Sequence, residues 1–456
     1  MVLRRPSTEL LAALGMYMLL GALVVIAFSA ARAAGDWSLN FESNAVRLLT
    51  AAAVAGVLCA VALLVVGYRY SRENTKAGFW LPVTMSVLVV VFFLGVTEGA
   101  LRVLDRPDPL GRRIGSVTLL PYEWPAAAEA NLALAKEHRN EDSFIVEDGD
   151  LGWTIGRSRS SSDGLYHSSA EGLRSDVRAR SYLSVDAPRP IALMGDSFAF
   201  SEEVPYENSL AFHLERQLPG RQILNFGVPG YGIDQSLLRF EKEVKSWRPQ
   251  KAIFAFIDDD LFRTENTYVF LKAWGIPLSK PRFALSNGRL ELLNSPTLTP
   301  EEMFSKESVF DLPWIEQDLE FVAHRWRTHP LHASYLLRFL VSRVPVWPAS
   351  ARTTEADSIV VLSSGVIERF VEAASAAGID PVVVYLPTTG DLRGGNRAVK
   401  QRVVESLGAG GIQVHDLTEC VASEPDDDAL FMSGGHYSDL GNTVVARCLA
   451  PALVTL

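Results

Sequence analysis

The stretch Pro190-Ile-Ala-Leu-Met-Gly-Asp-Ser-Phe198 decides how the chain is read. Ile191 to Met194 is a short apolar run with the length of a buried strand, and Gly195-Asp196-Ser197 follows at once. Asn208 or Ser209 can then cap a helix whose Leu210, Leu214 and Leu218 recur at i, i+4 and i+8. A strand followed so closely by a helix puts Ser197 on the turn at the strand's C-terminal edge, where open α/β sheets keep their chemistry. A serine there is a candidate nucleophile, and its backbone N–H is a candidate donor to an oxyanion. The same tripeptide also makes an ordinary strand-to-helix turn, so the residues downstream have to decide.

Downstream the alternation repeats. Residues 222–226 read as a strand that opens into Gly227-Val-Pro-Gly-Tyr-Gly232, and 234–245 as an amphipathic helix. Residues 251–257 form a continuous apolar run, the pattern of a strand buried on both faces, and end in Asp258-Asp259-Asp260. A helix over 358–377, a strand over 381–386, a helix over 396–407, a strand over 412–417 and a helix over 444–453 complete the series. Such alternation predicts an α/β fold with a doubly wound, mainly parallel sheet. Between about 261 and 350 it fails. Residues 283–292 read as a hairpin turning at Asn287-Gly288. A helical stretch with Phe304, Phe310, Trp314, Phe321 and Trp326 follows. This is an insertion at the strand ends: a substrate lid, a membrane-facing cap or a structural elaboration.

Upstream, residues 10–31, 48–67 and 79–97 are almost wholly apolar or small. Each has about the 20 residues that cross a bilayer core. They predict three N-terminal transmembrane helices, with 1–104 as a membrane anchor and 105–189 as a connector and N-terminal flap. The first run also has features of a signal peptide, with Arg4 and Arg5 before it and Ala31-Arg-Ala33 after it. Arg4 and Arg5, and then Arg69, Arg72 and Lys76, place the N-terminus and the second loop on the cytoplasmic side. The expectation is a multi-pass cell-membrane protein with an extracytoplasmic, periplasmic or extracellular C-terminal domain and the lipid bilayer as a partner. Glu98, beside Arg102 at the end of the third run, reads as an interfacial carboxylate. The formal charge of −10 and the absence of any Lys/Arg block argue against a nucleic-acid partner. Of the three cysteines, Cys59 lies within an apolar run, whereas Cys420 and Cys448 are disulfide candidates that would close a loop around His436.

Ser197, the glycine loop 227–232, the acidic triplet 258–260 and Ser433-Gly-Gly-His436 all fall at strand ends or on loops. In these blocks, and in Asn225-Phe-Gly-Val-Pro-Gly-Tyr-Gly232, the chain over 190–456 resembles the SGNH (GDSL-type) hydrolase superfamily, with the insertion unmatched. There is no Gly-x-Ser-x-Gly of the α/β-hydrolase kind. The resemblance implies Ser197 as nucleophile and His436 as its general base. It implies the backbone N–H groups of Ser197 and Gly230 as oxyanion donors. His213, on the predicted helix after Ser197, reads as a surface residue, and His415 matches no motif.

Two positions depart from the family pattern. Where the family has an oxyanion-donating Asn, this chain has Asp259, or less suitably Asp258, and an ionised Asp only accepts hydrogen bonds. Where it has an Asp three residues before the His, this chain has Ser433. A backbone carbonyl, or a carboxylate such as Asp426, Asp427, Asp428 or Asp439, would have to support His436. Otherwise the site runs as a Ser–His dyad. The resemblance over 190–456 and the three apolar runs together imply a membrane-anchored serine esterase or O-acyltransferase acting on acyl esters, acetyl groups of a cell-surface glycan among them. No metal-ligand cluster or phosphate loop is visible in the sequence, so no cofactor is implied. The alternative is a catalytically weak or inactive SGNH-like domain that binds a cell-surface glycan or a partner membrane protein.

Overall fold

The computed structural model describes residues 80–139, 142–183, 189–273, 275–286, 288–343, 352–395, 397–426 and 428–454. The chain divides into two compact units, one formed by residues up to 130 with 322–350, the other by 131–321 with 351–456.

The larger unit is built on a seven-stranded sheet. Its strands are β1 (His167–Ser168), β2 (Arg174–Ser175), β3 (Ile191–Met194), β4 (Ile223–Asn225), β5 (Lys251–Phe256), β6 (Asp380–Tyr385) and β7 (Val414–Asp416). Their spatial order is β7-β6-β5-β3-β4-β2-β1. Strands β3 to β7 run parallel, with Lys251 of β5 in register with Ile191 of β3 and Asp380 of β6. The two short strands from 167–175 extend the β4 edge antiparallel.

The helices that matter for the site are α1 (Ser197–Phe200), α2 (Leu210–Gln217), α3 (Ile233–Lys242), α4 (Asp258–Arg263), α5 (Arg352–Ala376), α6 (Ala398–Ala409) and α7 (Asp439–Val454). Successive strand side chains point to opposite faces, so the continuous apolar runs need cover on both. Ala252, Phe254 and Phe256 of β5 pack with Leu237 and Phe240 of α3, Phe370 of α5 and Leu407 of α6. Ile253 and Ala255 face the other way, onto Leu210 and Leu214 of α2 and Val445 and Leu449 of α7. This is the doubly wound α/β arrangement. Burying each large apolar side chain contributes about 1.5–3 kcal/mol.

Helix α7 starts five residues before the run expected at 444, because the Ser438 hydroxyl accepts from the N–H of Gly441 and caps the first turn. His436 therefore sits immediately ahead of a capped helix. A disulfide joins Cys420, on the short helix Thr418–Ala422, to Cys448 of α7, with Cα atoms 6.0 Å apart and a sequence separation of 28. It closes the loop that carries His436, and a closure of this length stabilises a fold by about 3 kcal/mol. In the insertion, strands Arg282–Ser286 and Arg289–Leu293 form the hairpin. Buried Lys280 just before it pairs with buried Asp234 at the start of α3.

The smaller unit corrects the membrane expectation. Among the described residues no helix is long and apolar enough to cross a membrane. The third apolar run forms helix Trp80–Leu104, and its C-terminal part is engaged by protein. Leu101 is fully buried with Ile114 and Leu119. The Glu98 carboxylate accepts from Ser334 Oγ and from the N–H groups of Tyr335 and Leu336, which open helix Tyr335–Arg343, and pairs with Arg102. A carboxylate capping a neighbouring helix is a feature of folded protein, and hydropathy alone could not reveal it. The first two expected spans, 10–31 and 48–67, lie outside the described residues. The three-helix anchor, and the multi-pass, extracytoplasmic localisation that rested on it, are withdrawn.

Candidate active site

Strand β3 ends at Met194 and the chain turns at Gly195, whose φ is 151°. A Cβ at Gly195 would lie 2.6 Å from the carbonyl oxygen of Ala255 and 2.8 Å from Cβ of Ala199, so only glycine lets the turn sit against β5. Asp196 then caps α1, accepting from the N–H of Phe198 at 2.9 Å. Ser197 opens α1, almost fully buried at 6% exposure.

The Ser197 hydroxyl lies 2.9 Å from Nε2 of His436. On the other edge of the ring, Nδ1 of His436 lies 2.9 Å from the Glu203 carboxylate. That carboxylate also accepts from the backbone N–H of His436 at 3.1 Å and of Gly434 at 2.9 Å. A Cβ at Gly434 would come within 2.5 Å of a Glu203 oxygen, so the glycine is what allows this approach. Burial works to raise the Glu203 carboxyl, but the His436 and Gly434 hydrogen bonds outweigh it and hold the group below the usual glutamate range. Glu203 is therefore ionised at neutral pH. The imidazole is flanked by a hydroxyl and a carboxylate, as a general base requires.

Glu203 reaches His436 because α1 stops after one turn. Ser201 and Glu203 both adopt left-handed φ values, 63° and 70°. Such residues cost about 1 kcal/mol or more each and need external support. Arg174 of β2 supplies it. Its guanidinium is buried and donates to the carbonyls of Phe200, Ser201 and Val204. It lies 4.3 Å from the Phe200 ring centroid and 4.9 Å from that of Tyr166. The Tyr166 hydroxyl accepts from the N–H of Glu203 at 2.8 Å. Burial pushes Arg174 down to about 10, still protonated at neutral pH. Arg174→Ala removes the donors of three carbonyls, and we expect it to cost about 3 kcal/mol. A urea melt would show this as a lower midpoint, with Arg174→Lys recovering part of the loss; an unchanged midpoint for the alanine variant would contradict the role.

A second guanidinium ties the remaining blocks together. Arg263 of α4 lies 2.6 Å from Asp260, 2.8 Å from Asp259 and 3.5 Å from Asp196, and donates to the Tyr231 carbonyl at 2.9 Å. Burial works to lower its basicity, but the three carboxylates outweigh it and raise it. One side chain thus links the serine turn, the glycine loop and the acidic triplet. Burial raises the Asp196 and Asp260 carboxyls, with Arg263 opposing it at both, and Asp196 adds to the rise at Asp260. Asp259 behaves oppositely. Burial works to raise it, but Arg263 and Lys272, which donates at 2.7 Å, hold it below the usual range. Asp259 is thus ionised and has no proton to donate. Asp258 pairs with Arg397 at 3.3 Å.

The glycine loop is held against α1 by Asn225, whose Nδ2 donates to the Ala199 carbonyl at 2.9 Å and whose Oδ1 accepts from the N–H of Gly227. Trp153 Nε1 donates to the Pro229 carbonyl. Gly230, with φ 80°, is exposed at the loop's outer turn. Among the described residues, no protein acceptor takes the backbone N–H of Ser197 or of Gly230.

The carboxylates weighed from the sequence as partners of His436 are occupied elsewhere. Asp426 accepts from the N–H of Ala429, Asp428 pairs with Arg393, and Asp439 pairs with His213. Asp427 lies outside the described residues. Ser433, in the family's Asp position, lines a hollow of about 250 Å³ beside the His436 loop, together with Thr389, Leu392, Phe431 and Gly435. His415 lies in β7, its basicity lowered by burial and by Lys251. Sequence reasoning missed Glu203, Arg174 and Arg263. For Glu203 the available signal was its place six residues after Ser197 and the glycine at 434, neither of which is a recognised spacing.

No protein-family model matches the chain, and no curated protein matches it significantly. Among solved structures it is similar to the lipase/acylhydrolase from Enterococcus faecalis, at 13% identity over 58% of this chain and 95% of that one, with a TM-score of 0.32. A member of the lipolytic protein G-D-S-L family from Veillonella parvula is similar at 13% identity over 59% and 99%, with a TM-score of 0.30. So is Axe2, an acetylxylan esterase from Geobacillus stearothermophilus, at 10% identity over 59% and 96%, with a TM-score of 0.32. Likenesses this distant carry no argument about activity.

Proposed function

We propose that the chain is a serine ester hydrolase or O-acyltransferase of the SGNH type, acting on acyl esters, acetyl esters among them, through Ser197, His436 and Glu203. The observation that carries the reading is the unbroken hydrogen-bond chain from Ser197 Oγ through both nitrogens of His436 to an ionised carboxylate. As Oγ attacks the ester carbonyl carbon, Nε2 takes its proton. The imidazolium charge that forms faces Glu203 at Nδ1. The open N–H groups of Ser197 and Gly230 are the candidate donors to the oxyanion. The tetrahedral species collapses, the bond to the leaving oxygen breaks, and Nε2 returns its proton to that oxygen. Water or an acceptor alcohol then attacks the acyl-Ser197 ester by the same route.

The Asn-slot residue Asp259 adds no donor, and one missing oxyanion donor typically lowers a rate about 100- to 1,000-fold. That favours a modest turnover, and it keeps a second reading in view, a domain that binds its ligand without turning it over. Stopped-flow mixing of the purified protein with 4-nitrophenyl acetate tests the reading. A burst of 4-nitrophenolate matching the enzyme concentration, followed by slower turnover that an added alcohol accelerates, is the expected result. Folded protein that releases no 4-nitrophenolate above background would favour the binding-only reading.

A further inference from the structure

We propose that Glu202 is a specificity-determining residue: its carboxylate, standing beside Nε2 of His436, selects neutral or cationic leaving groups over anionic ones. The proposal rests on the catalytic reading of Ser197 and His436.

Two adjacent glutamates follow α1, and the turn sends them to opposite edges of one imidazole. Glu203 is committed to Nδ1 and to two backbone N–H groups. Glu202 lies 3.5 Å from Nε2, the same nitrogen that faces Ser197 Oγ. Its backbone N–H is used by the Ser197 carbonyl at 2.9 Å, which fixes its position relative to the nucleophile. Its side chain is 34% exposed, so an incoming substrate can meet it. Among the described residues no Lys or Arg forms an ion pair with it, since the nearby Arg174 spends its donors on backbone carbonyls.

The chemistry of ester cleavage fixes where the leaving group must be. Nε2 hands its proton to the departing oxygen, so that oxygen has to come within hydrogen-bond reach of Nε2, about 3 Å. Glu202 shares that nitrogen as a neighbour. A charge carried on the leaving group therefore lies within several ångströms of a carboxylate that, among the described residues, no Lys or Arg pairs with. The other carboxylates around the nucleophile do not play this part. Glu203 is on the far edge of the ring, while Asp196 and Asp260 are buried behind Ser197 with Arg263. Burial raises the Glu202 carboxyl above the usual range, Asp196 and Glu203 add to the rise, and His436 and Arg174 oppose it, so the discrimination should grow as pH rises through the carboxyl's titration.

The test compares 4-nitrophenyl acetate with its 3-carboxy derivative, two esters that differ by one negative charge on the leaving group. The ratio of kcat/KM values, neutral over anionic, is measured at low ionic strength for wild type, Glu202→Gln and Glu203→Gln. Coulomb repulsion at this range predicts that Glu202→Gln lowers the ratio about tenfold. The wild-type ratio should also fall as salt is raised. Glu203→Gln, although slower, should lower the ratio by less than Glu202→Gln does, because its carboxylate at Nδ1 lies farther from an oxygen departing at Nε2. An unchanged ratio in Glu202→Gln, with wild type active, overturns this proposal and leaves the catalytic reading intact. Wild type inactive on both esters and unlabelled by a fluorophosphonate overturns the catalytic reading itself.

Discussion

Ser197→Ala lowers ester turnover by on the order of a millionfold in kcat if the three residues act as a unit. The expected effect is this large because Oγ is the atom that bonds to the acyl carbon, and among the described residues no other hydroxyl reaches Nε2 of His436. Stability should barely change. Ser197 is not a cap: Asp196 supplies that function to α1, and the Ser197 backbone bond to Glu202 survives the substitution. A thermal melt within a few degrees of wild type, alongside the lost turnover, separates chemistry from unfolding. Turnover retained within tenfold would mean that another residue attacks the ester.

Glu203→Gln is expected to lower kcat about 10,000-fold with the fold preserved. The reason is the tautomer. The ionised carboxylate requires the proton of neutral His436 to sit on Nδ1, which leaves Nε2 free to accept from Ser197. A Gln amide can instead donate to Nδ1, which moves the ring proton to Nε2 and removes the base. Glu203→Asp, shorter by one methylene, should recover part of the rate. The same substitution has a signature in stability. The folded-state Glu203 carboxyl lies below its unfolded value, so folding favours the ionised form. The contribution is then fully present above the usual glutamate range and is lost as pH falls through the lower folded value. Urea melts of wild type and Glu203→Gln should differ at pH 7 and converge in acid. A gap that widened on acidification would contradict the assignment.

How much of this was legible in the sequence depends on the range of the interaction. The parallel strands β3 to β6 were readable because buried strands leave continuous apolar runs, and the turns at Gly195 and Gly227 mark the ends of β3 and β4. Ser197 and His436 were readable because each sits in a short block. Glu203 was not, because its role depends on two left-handed residues, on a buried arginine from β2 and on a glycine more than two hundred residues away. None of these leaves a periodic signal. Arg263 was hidden similarly: it serves three blocks by its reach rather than by any motif. The membrane expectation failed for the opposite reason. Hydropathy counts apolar residues but cannot register that Glu98 caps a neighbouring helix or that Leu101 belongs to a small protein core.

The most direct measurement is the site of covalent capture. Purified protein is treated with a fluorophosphonate, and the adduct is located by intact mass and peptide mapping. One phosphonyl group per chain, carried by Ser197 and absent from Ser197→Ala, is the predicted result. Folded wild type that remains unlabelled, or an adduct on any other residue, would contradict Ser197 as the nucleophile.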